Sequence, residues 1–311
     1  MKRIAIISLL TLSISLTGCS SILKKLLSSD GSGVKFEEKG QKMDRDDWND
    51  NFKKAVEDSN FESDNVPAFV ISASSSSKQN NDESNGDYKV SEESSYSYKE
   101  TYKYDDGKML LSYVRSGTSN STETSPYGKR TSKVGIKENY FYQTSGKTFY
   151  TIDVGNETYT TDNSSEESGS AQMNSKANSA LSSTITLFAL ATIFADEEME
   201  FYQNGNIFTI TYSKTTDKDI TDRNDSTIII GKSSSTSEMT MQLNLTAGKN
   251  ASKYVIKSSE TKQYDKADTY NGYKAGTSIN TSSTTSYNAT INFKEQNLTK
   301  ININSGYTKT N

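Results

Sequence analysis

Apolar side chains recur every fourth residue between Met43 and Asp58, where Trp48, Phe52 and Val56 share one face of a helix. Aspartates at the start of this stretch favour the positive end of a helix dipole. The pattern therefore predicts a first helix with one apolar face to bury.

From Tyr88 onward the period changes to two. Tyr96, Tyr98, Tyr102 and Tyr104 lie on one parity and polar side chains lie on the other, which is typical of a half-buried antiparallel strand. Such a stripe of aromatic rings is ordinarily the core face of a sheet, and stacking on sugar rings at an exposed face is the alternative. Turn pairs predict three hairpins, at Asp106-Gly107, Ser145-Gly146 and Asn204-Gly205.

Long Ser/Thr/Asn-rich segments separate these apolar stretches. Their composition predicts polar loops. The segments are Ser74 to Gly86, Ser116 to Ser132, Lys214 to Asp225, Ser233 to Ser237 and Lys262 to Thr285, and Asp162 to Asn178 is expected to be the boundary between two halves.

The most apolar segment after the N-terminal region runs from Leu181 to Ala195. It is apolar nearly all round, which is typical of an enclosed helix. A membrane span would need about 20 apolar residues, and this segment is shorter. The prediction is a helix enclosed by the fold. The fold class is therefore α+β: a curved antiparallel sheet wrapped on one or two helices, with a helix and a meander occurring twice.

The first residues of the chain have the character of an export signal. Lys2 and Arg3 precede an apolar run, and Leu16-Thr17-Gly18-Cys19 closes it with small residues before a cysteine. This arrangement resembles the lipobox of bacterial lipoproteins, which implies cleavage between Gly18 and Cys19 and attachment of diacylglycerol to the Cys19 sulfur. The expected organisation is a signal peptide at 1–18, a lipidated tether at 19–40 and one α+β domain with long polar loops at 41–311.

Composition limits the kinds of catalysis and metal binding that are open to this protein. The sequence contains no histidine and one cysteine, so imidazole-based catalysis, histidine-ligated metals and an intrachain disulfide are excluded. A formal net charge of −4 without clustered Lys and Arg argues against nucleic acid. Asp217, Asp219, Asp222 and Asp225 could ligate calcium, but their spacing fails the EF-hand pattern, and a solvated loop is the preferred interpretation. No metal or cofactor is expected.

The order of elements after the lipobox is similar to that of lipoproteins with the LolA/LprG-type half-barrel. The resemblance rests on the tether, the first helix, the tyrosine-rich meander and the apolar helix before a Phe-Tyr-Gln-Asn-Gly-Asn hairpin. It implies a cavity between sheet and helices that binds an acyl chain or other apolar ligand. The residues of the apolar helix that would line this cavity are Leu187, Phe188, Ile193 and Phe194.

The sequence therefore predicts a lipid-anchored protein facing outside the cytoplasm, on the surface of a single-membrane bacterium or in a periplasm. The first functional hypothesis is a non-catalytic binder or carrier of an apolar or lipid ligand. The alternative is a structural or partner-binding surface lipoprotein with a packed core and no ligand. A carboxylate-based enzyme ranks last, since no acidic pair stands out and neither a nucleophile elbow nor a phosphate loop occurs.

Overall fold

A computed structural model describes residues 34–58, 66–162, 169–186, 188, 197–246, 249–304 and 306–310. The two named helices are α1 (Arg45–Glu57) and α2 (Gly169–Ser183). The strands are β1 (Gln41–Met43), β2 (Phe69–Asn85), β3 (Tyr88–Asp105), β4 (Leu110–Ser125), β5 (Gly128–Ser145), β6 (Thr148–Asp153), β7 (Thr158–Asp162), β8 (Met199–Asn204), β9 (Ile207–Thr221), β10 (Ile229–Asn244), β11 (Lys249–Tyr264), β12 (Ser278–Phe293) and β13 (Thr308–Lys309).

In the described part of the chain, thirteen strands form one curved, unclosed sheet in the order β1-β8-β9-β10-β11-β12-β2-β3-β4-β5-β6-β7-β13. Neighbouring strands are antiparallel except β13 and β7, which are parallel. Pairing of β12 with β2 joins the later meander to the earlier one. The expected α+β class with a curved antiparallel sheet is confirmed, as are turns at the three predicted hairpins.

Helix α1 forms where the four-residue period predicted it. The Asp44 carboxylate accepts the backbone N–H of Asp46 and caps the first turn. Trp48, Phe52 and Val56 are all buried. The indole N–H of Trp48 donates to the Tyr202 carbonyl at 2.9 Å, which fixes the helix against β8.

Aromatic rings fill the core between α1 and the sheet. The ring centroid of Trp48 lies 5.1 Å from that of Phe52, 5.8 Å from that of Phe188 and 5.5 Å from that of Phe208. These separations lie within the range for stacked and edge-on aromatic pairs. The face of the sheet that carries this cluster is called the helix-bearing face below.

Helix α2 includes residues 169–178 of the segment that the sequence predicted to be the boundary between two halves, and the sequence did not predict this helix. Met173, Ala177 and Leu181 are buried, four residues apart, and the helix contacts β4, β5 and β6. Its small side chains permit close packing on the sheet, which gives a weakly apolar sequence a buried face. The predicted helix began at Leu181, which belongs to the last turns of α2, and most of its remainder lies outside the described residues.

Terminal segments cover part of the opposite face of the sheet. Residues from Lys294 onward pack on Leu110, Phe141 and Ile152. Backbone groups of Ile301 exchange two hydrogen bonds with the Gln143 side-chain amide. The last seven residues of the predicted tether also lie on the sheet, since Glu37 and the buried Gln242 amide exchange two hydrogen bonds of 2.7 and 3.0 Å.

The predicted polar loops are strands, and this is the largest correction to the sequence interpretation. Ser74 to Gly86 lies almost wholly in β2, Ser116 to Ser132 in β4 and β5, and Ser233 to Ser237 in β10. Lys214 to Thr221 belongs to β9, and Lys262 to Thr285 includes the end of β11 and the start of β12.

Cross-strand hydroxyl pairs contribute to this outcome. Ser76 Oγ lies 2.8 Å from Ser286 Oγ, and Ser258 Oγ lies 2.7 Å from Ser283 Oγ. Such pairs stabilise neighbouring strands, and their partners are far apart in the sequence. The eight central strands consequently reach 15 to 18 residues each. No helix among the described residues combines the length and apolar character that crossing a membrane requires.

Candidate functional site

The predicted ligand-lining residues divide between the core and the undescribed part of the chain. Phe188 is 1% exposed and packs against Trp48 and Phe52. Leu187, Ile193 and Phe194 lie outside the described residues, as do Gly18 and Cys19. Phe188 thus contributes to the packing of the aromatic core.

A band of tyrosines crosses the helix-bearing face where the core ends and the polar parts of the strands begin. Strand register places Tyr102 opposite Tyr113, and Tyr113 opposite Tyr140. Tyr254 stacks on Tyr287, with ring centroids 5.2 Å apart. The tyrosine band is defined by Tyr96, Tyr98, Tyr102, Tyr113, Tyr140, Tyr254 and Tyr287.

Three charged side chains lie in register within the tyrosine band. Glu100, Arg115 and Glu138 are cross-strand partners on β3, β4 and β5. Nη1 of Arg115 is 3.6 Å from Oε2 of Glu138, and the Tyr113 hydroxyl donates to the same oxygen at 3.0 Å. Both side chains of this ion pair keep part of their surface accessible, 24% for Arg115 and 34% for Glu138.

Arg115 also interacts with two tyrosine rings. Its guanidinium donates through Nη2 to the Tyr96 hydroxyl and lies over the ring of Tyr98. Gly117, two residues further along β4, faces Tyr98 in the register. A Cβ at Gly117 would lie 2.2 Å from the Ser97 carbonyl oxygen, so the close approach of β3 and β4 requires glycine there.

Burial shifts the pKa values of several side chains in and beside the tyrosine band. It raises the pKa of the Glu100 carboxyl, which Arg115 opposes, and it raises the pKa of Tyr254 to about 12. Burial also raises the pKa of the Tyr98 hydroxyl. Tyr98 and Tyr254 therefore remain protonated hydrogen-bond donors at neutral pH.

The opposite face holds a groove with a volume of about 500 Å³. Hydroxyls of Ser74, Ser76, Ser97 and Thr118 are among its lining groups, together with Lys99. Such a surface can accept polar ligands through hydrogen bonds.

The four aspartates weighed as calcium ligands do not converge. Asp217 and Asp219 belong to β9, whereas Asp222 and Asp225 lie in the following turn. Asp222 accepts the backbone N–H of Asn224, and Asp225 accepts that of Thr227, so these carboxylates shape the turn. No group of three potential metal ligands occurs among the described residues.

Sequence reasoning missed Glu100 and Arg115 as site residues. Glu100 alternates in phase with the tyrosines of the predicted stripe, and this was the sequence signal that could have placed its side chain on the same face. Arg115 directly precedes a segment that was assigned to a loop, so its register against Glu100 could not be derived.

Comparison with known proteins adds little to this picture. No family model matches the sequence, and no curated protein matches it. One similar solved structure is the low-pH structure of OprB from Pseudomonas putida, with 6% identity over 82% of this chain and 100% of that chain. Its TM-score of 0.24 is too low to support an argument about fold or function.

Proposed function

We propose that this protein is a lipid-anchored, non-catalytic binding protein of the bacterial cell envelope that meets a partner on its sheet surface. The anchor is the diacylglycerol expected on Cys19, and the body faces outside the cytoplasm. The proposal follows the partner-binding alternative derived from the sequence, because Phe188 is packed in the core and the polar strands project beyond it.

The observation that carries this proposal is the tyrosine band with its partly accessible ion pair. Tyrosine combines a large, stiff contact area with a hydroxyl donor, and arginine offers several donors in one plane, so both are enriched in protein interfaces. Arg115 lies between Glu100 and Glu138 in the register. That intervening cation favours a binding role for the two carboxylates over paired acid–base catalysis.

A test in the producing cells would replace Tyr102 with a photoreactive phenylalanine. Illumination should produce a discrete cross-linked species, whereas the same probe at the exposed Lys133, on the opposite face of β5, should not. Equal labelling from both positions, or none from either, would reject the tyrosine band as the contact surface.

The lipid anchor has its own test. Growth on radiolabelled palmitate should label the wild-type protein and leave a Cys19→Ala variant unlabelled. If the wild-type protein carried no label, the proposed attachment to a membrane would be rejected.

The carrier hypothesis is the second candidate, and one observation favours it. Met239 and Tyr254 are only partly buried, and they extend the apolar core along β10 and β11. Mass spectrometry of an organic extract of gently purified protein should then detect a stoichiometric lipid, and its repeated absence would reject this candidate.

A further inference from the structure

The groove on the face opposite the helices has a floor of polar side chains in two rows across four strands. One row consists of Asn288, Ser74, Lys99 and Ser116, on β12, β2, β3 and β4. The next row consists of Ser286, Ser76, Ser97 and Thr118 on the same strands. Neighbouring strands are about 4.8 Å apart, so the two rows extend about 14 Å across the sheet. These eight residues are called the groove floor.

The hydroxyls of the groove floor keep hydrogen-bonding capacity for a ligand. Ser76 Oγ lies 2.8 Å from Ser286 Oγ, and Ser97 Oγ lies 3.4 Å from Thr118 Oγ1. Each of these pairs uses one of its two hydroxyl protons, so the other proton and further lone pairs remain available. Apart from the buried Ser286, every residue of the floor keeps part of its surface accessible. The floor can therefore donate to a ligand and accept from it.

The charged side chains in and around the groove floor are basic. The floor contains Lys99, and the positions next to it on the same face contain Lys78, Lys137 and Lys253. No Asp or Glu occupies the floor or any same-face strand position directly beside it. The groove therefore favours a ligand that carries negative charge.

Two of these lysines are available to a ligand. Lys78 forms an ion pair with Glu93 at 2.8 Å, and Lys253 forms one with Glu37 at 3.5 Å. Lys99 and Lys137 are exposed and belong to no ion pair among the described residues.

Lys99 and Lys137 lie in one row, on either side of Ser116. They are two strand spacings apart, which is about 10 Å. Two cations at this separation can bind acidic groups that recur along a chain, while the hydroxyls between them bind its neutral polar groups. The ligand that fits is elongated, rich in hydroxyls and carries spaced negative charges.

The side chains of the groove are poorly suited to other anionic ligands. A lipid surface is bound through exposed apolar and aromatic side chains, and a protein interface usually has an apolar centre. The groove floor contains neither kind of side chain. Single-stranded nucleic acid is bound by stacking on aromatic rings. Tyr98 borders the groove, but its ring lies against Arg115 on the helix-bearing face.

We propose that this groove binds an acidic glycan, whose hydroxyls meet the Ser, Thr and Asn side chains of the floor and whose carboxylates meet Lys99 and Lys137. This rests on the proposed position of the protein outside the cytoplasm, where glycans occur. The volume of about 500 Å³ is within the range of ligand sites and holds a short run of sugars. The glycan is a second ligand, bound on the face opposite the tyrosine band.

The test uses the mature-length chain, residues 19–311, carrying Cys19→Ser, so that no acyl chain is present. The probe is a fluorescein-labelled oligosaccharide of alternating glucuronate and N-acetylglucosamine. A neutral oligosaccharide of N-acetylglucosamine with the same length serves for comparison. Fluorescence anisotropy should show binding of the acidic probe, and the neutral probe should bind at least about tenfold more weakly, because it forms no charged hydrogen bond with the lysines.

Lys99→Gln should weaken binding of the acidic probe by about tenfold, because one charged hydrogen bond is lost. Its matched control is Lys103→Gln, at an exposed and unpaired lysine four residues further along the same face of β3, and binding should stay within about twofold of the parent chain.

A second pair of variants tests the space of the groove. Ser116→Tyr places a ring over the groove floor and should also weaken binding by about tenfold, since it excludes the sugar. Thr124→Tyr, at an exposed position on the same face of β4 and outside the groove, should not. Emission of Trp48 in the core checks that each variant is folded, since it is the only tryptophan of the sequence.

The proposal would be overturned if the acidic probe did not bind, if the neutral probe bound equally well, or if the Lys99 and Lys103 variants lost affinity equally. Equally tight binding of inorganic polyphosphate would also overturn it, because charge alone would then explain the affinity. The assay involves neither the acyl chain nor the tyrosine band, and Lys133, the cross-linking control for Tyr102, lies outside the groove floor. Failure of the groove and failure of the proposed function are thus separate results.

Discussion

The guanidinium carbon of Arg115 lies 4.1 Å from the centroid of the Tyr98 ring, on the strand next to it. This cation–π contact sits in the tyrosine band, where the apolar core gives way to the polar part of the sheet. The same guanidinium faces Glu138 at 3.6 Å. Arg115 thus joins β3, β4 and β5 at the point where side-chain packing from the helices ends.

Replacing Arg115 should loosen this junction. We expect Arg115→Ala to lower the free energy of unfolding by about 2 kcal/mol, because it removes a cation–π contact and a charged hydrogen bond. Arg115→Lys should recover only part of the loss, since an ammonium group lacks the planar guanidinium. Urea unfolding measures the effect, and Arg130→Ala, at an exposed position on β5, should change the stability by less than about 0.5 kcal/mol.

Glu100 should make stability depend on pH. Burial raises the pKa of its carboxyl, so the folded state favours the protonated form. Its contribution is complete below the pKa of the unfolded chain and is lost as pH rises through the higher pKa of the folded state. Glu100→Gln should therefore gain stability relative to wild type between acidic and neutral pH, whereas Glu123→Gln, at an exposed position on the same face, should not. A parallel pH profile for wild type and Glu100→Gln would contradict this prediction.

Two glycines on adjacent strands offer a matched comparison. Gly117→Ala would bring a Cβ to 2.2 Å from the Ser97 carbonyl oxygen, and we expect a loss of about 1–3 kcal/mol. At Gly135 an added Cβ meets nothing within 4 Å. Gly135→Ala should be neutral or stabilising by up to about 1 kcal/mol, because it restricts the unfolded chain. Thermal unfolding of both variants tests the contrast, and equal losses would show that strand crowding at Gly117 is unimportant.

Trp48 should be the most sensitive position of the core. It is fully buried, packs on Phe52, Phe188 and Phe208 and donates to the Tyr202 carbonyl. Trp48→Ala should cost about 3–5 kcal/mol. Trp48→Phe should cost about 1–3 kcal/mol, because the carbonyl loses its partner. Calorimetry measures both, with Tyr127→Phe as a control at a side chain that is 93% exposed.

The rate of backbone amide hydrogen exchange should differ between two parts of strand β2. Residues 70–73 and 79–82 of β2 are paired with both β12 and β3, so their backbone bonding is alike. Phe69, Ile71 and Ala73 belong to the buried core, whereas residues 79–82 lie beyond it. We expect amides of the outer segment to exchange at least tenfold faster, because local opening there exposes little apolar surface. Equal protection measured by mass spectrometry would indicate that the whole sheet opens as one unit.

Local patterns allowed the correct prediction of elements whose stabilising partners are near in sequence or whose apolar period is pronounced. The four-residue spacing of Trp48, Phe52 and Val56 was sufficient to predict α1. The Asn204-Gly205 pair was sufficient to predict a hairpin, in whose turn Gly205 has a φ of +57°. The parity of Tyr102 and Tyr104 likewise indicated the face that joins the core. Each of these features depends on a few neighbouring residues.

Long-range pairing decided the rest. Ser76 is 210 residues from Ser286, its hydroxyl partner on β12, so composition alone assigned the segment of Ser76 to a loop. Glu100, Arg115 and Glu138 were brought into one row by the register of three strands.

The sequence by itself determined the class of fold, the first helix, the tight hairpins and the expectation of a lipid anchor, because those signals are local in the chain. Only the tertiary structure decided that the serine and threonine tracts are strands, that α2 lies at Gly169–Ser183 and that polar side chains of four strands line one groove. A polar residue gains its place in a sheet from the strand beside it, and the identity of that neighbour is not written in the local sequence.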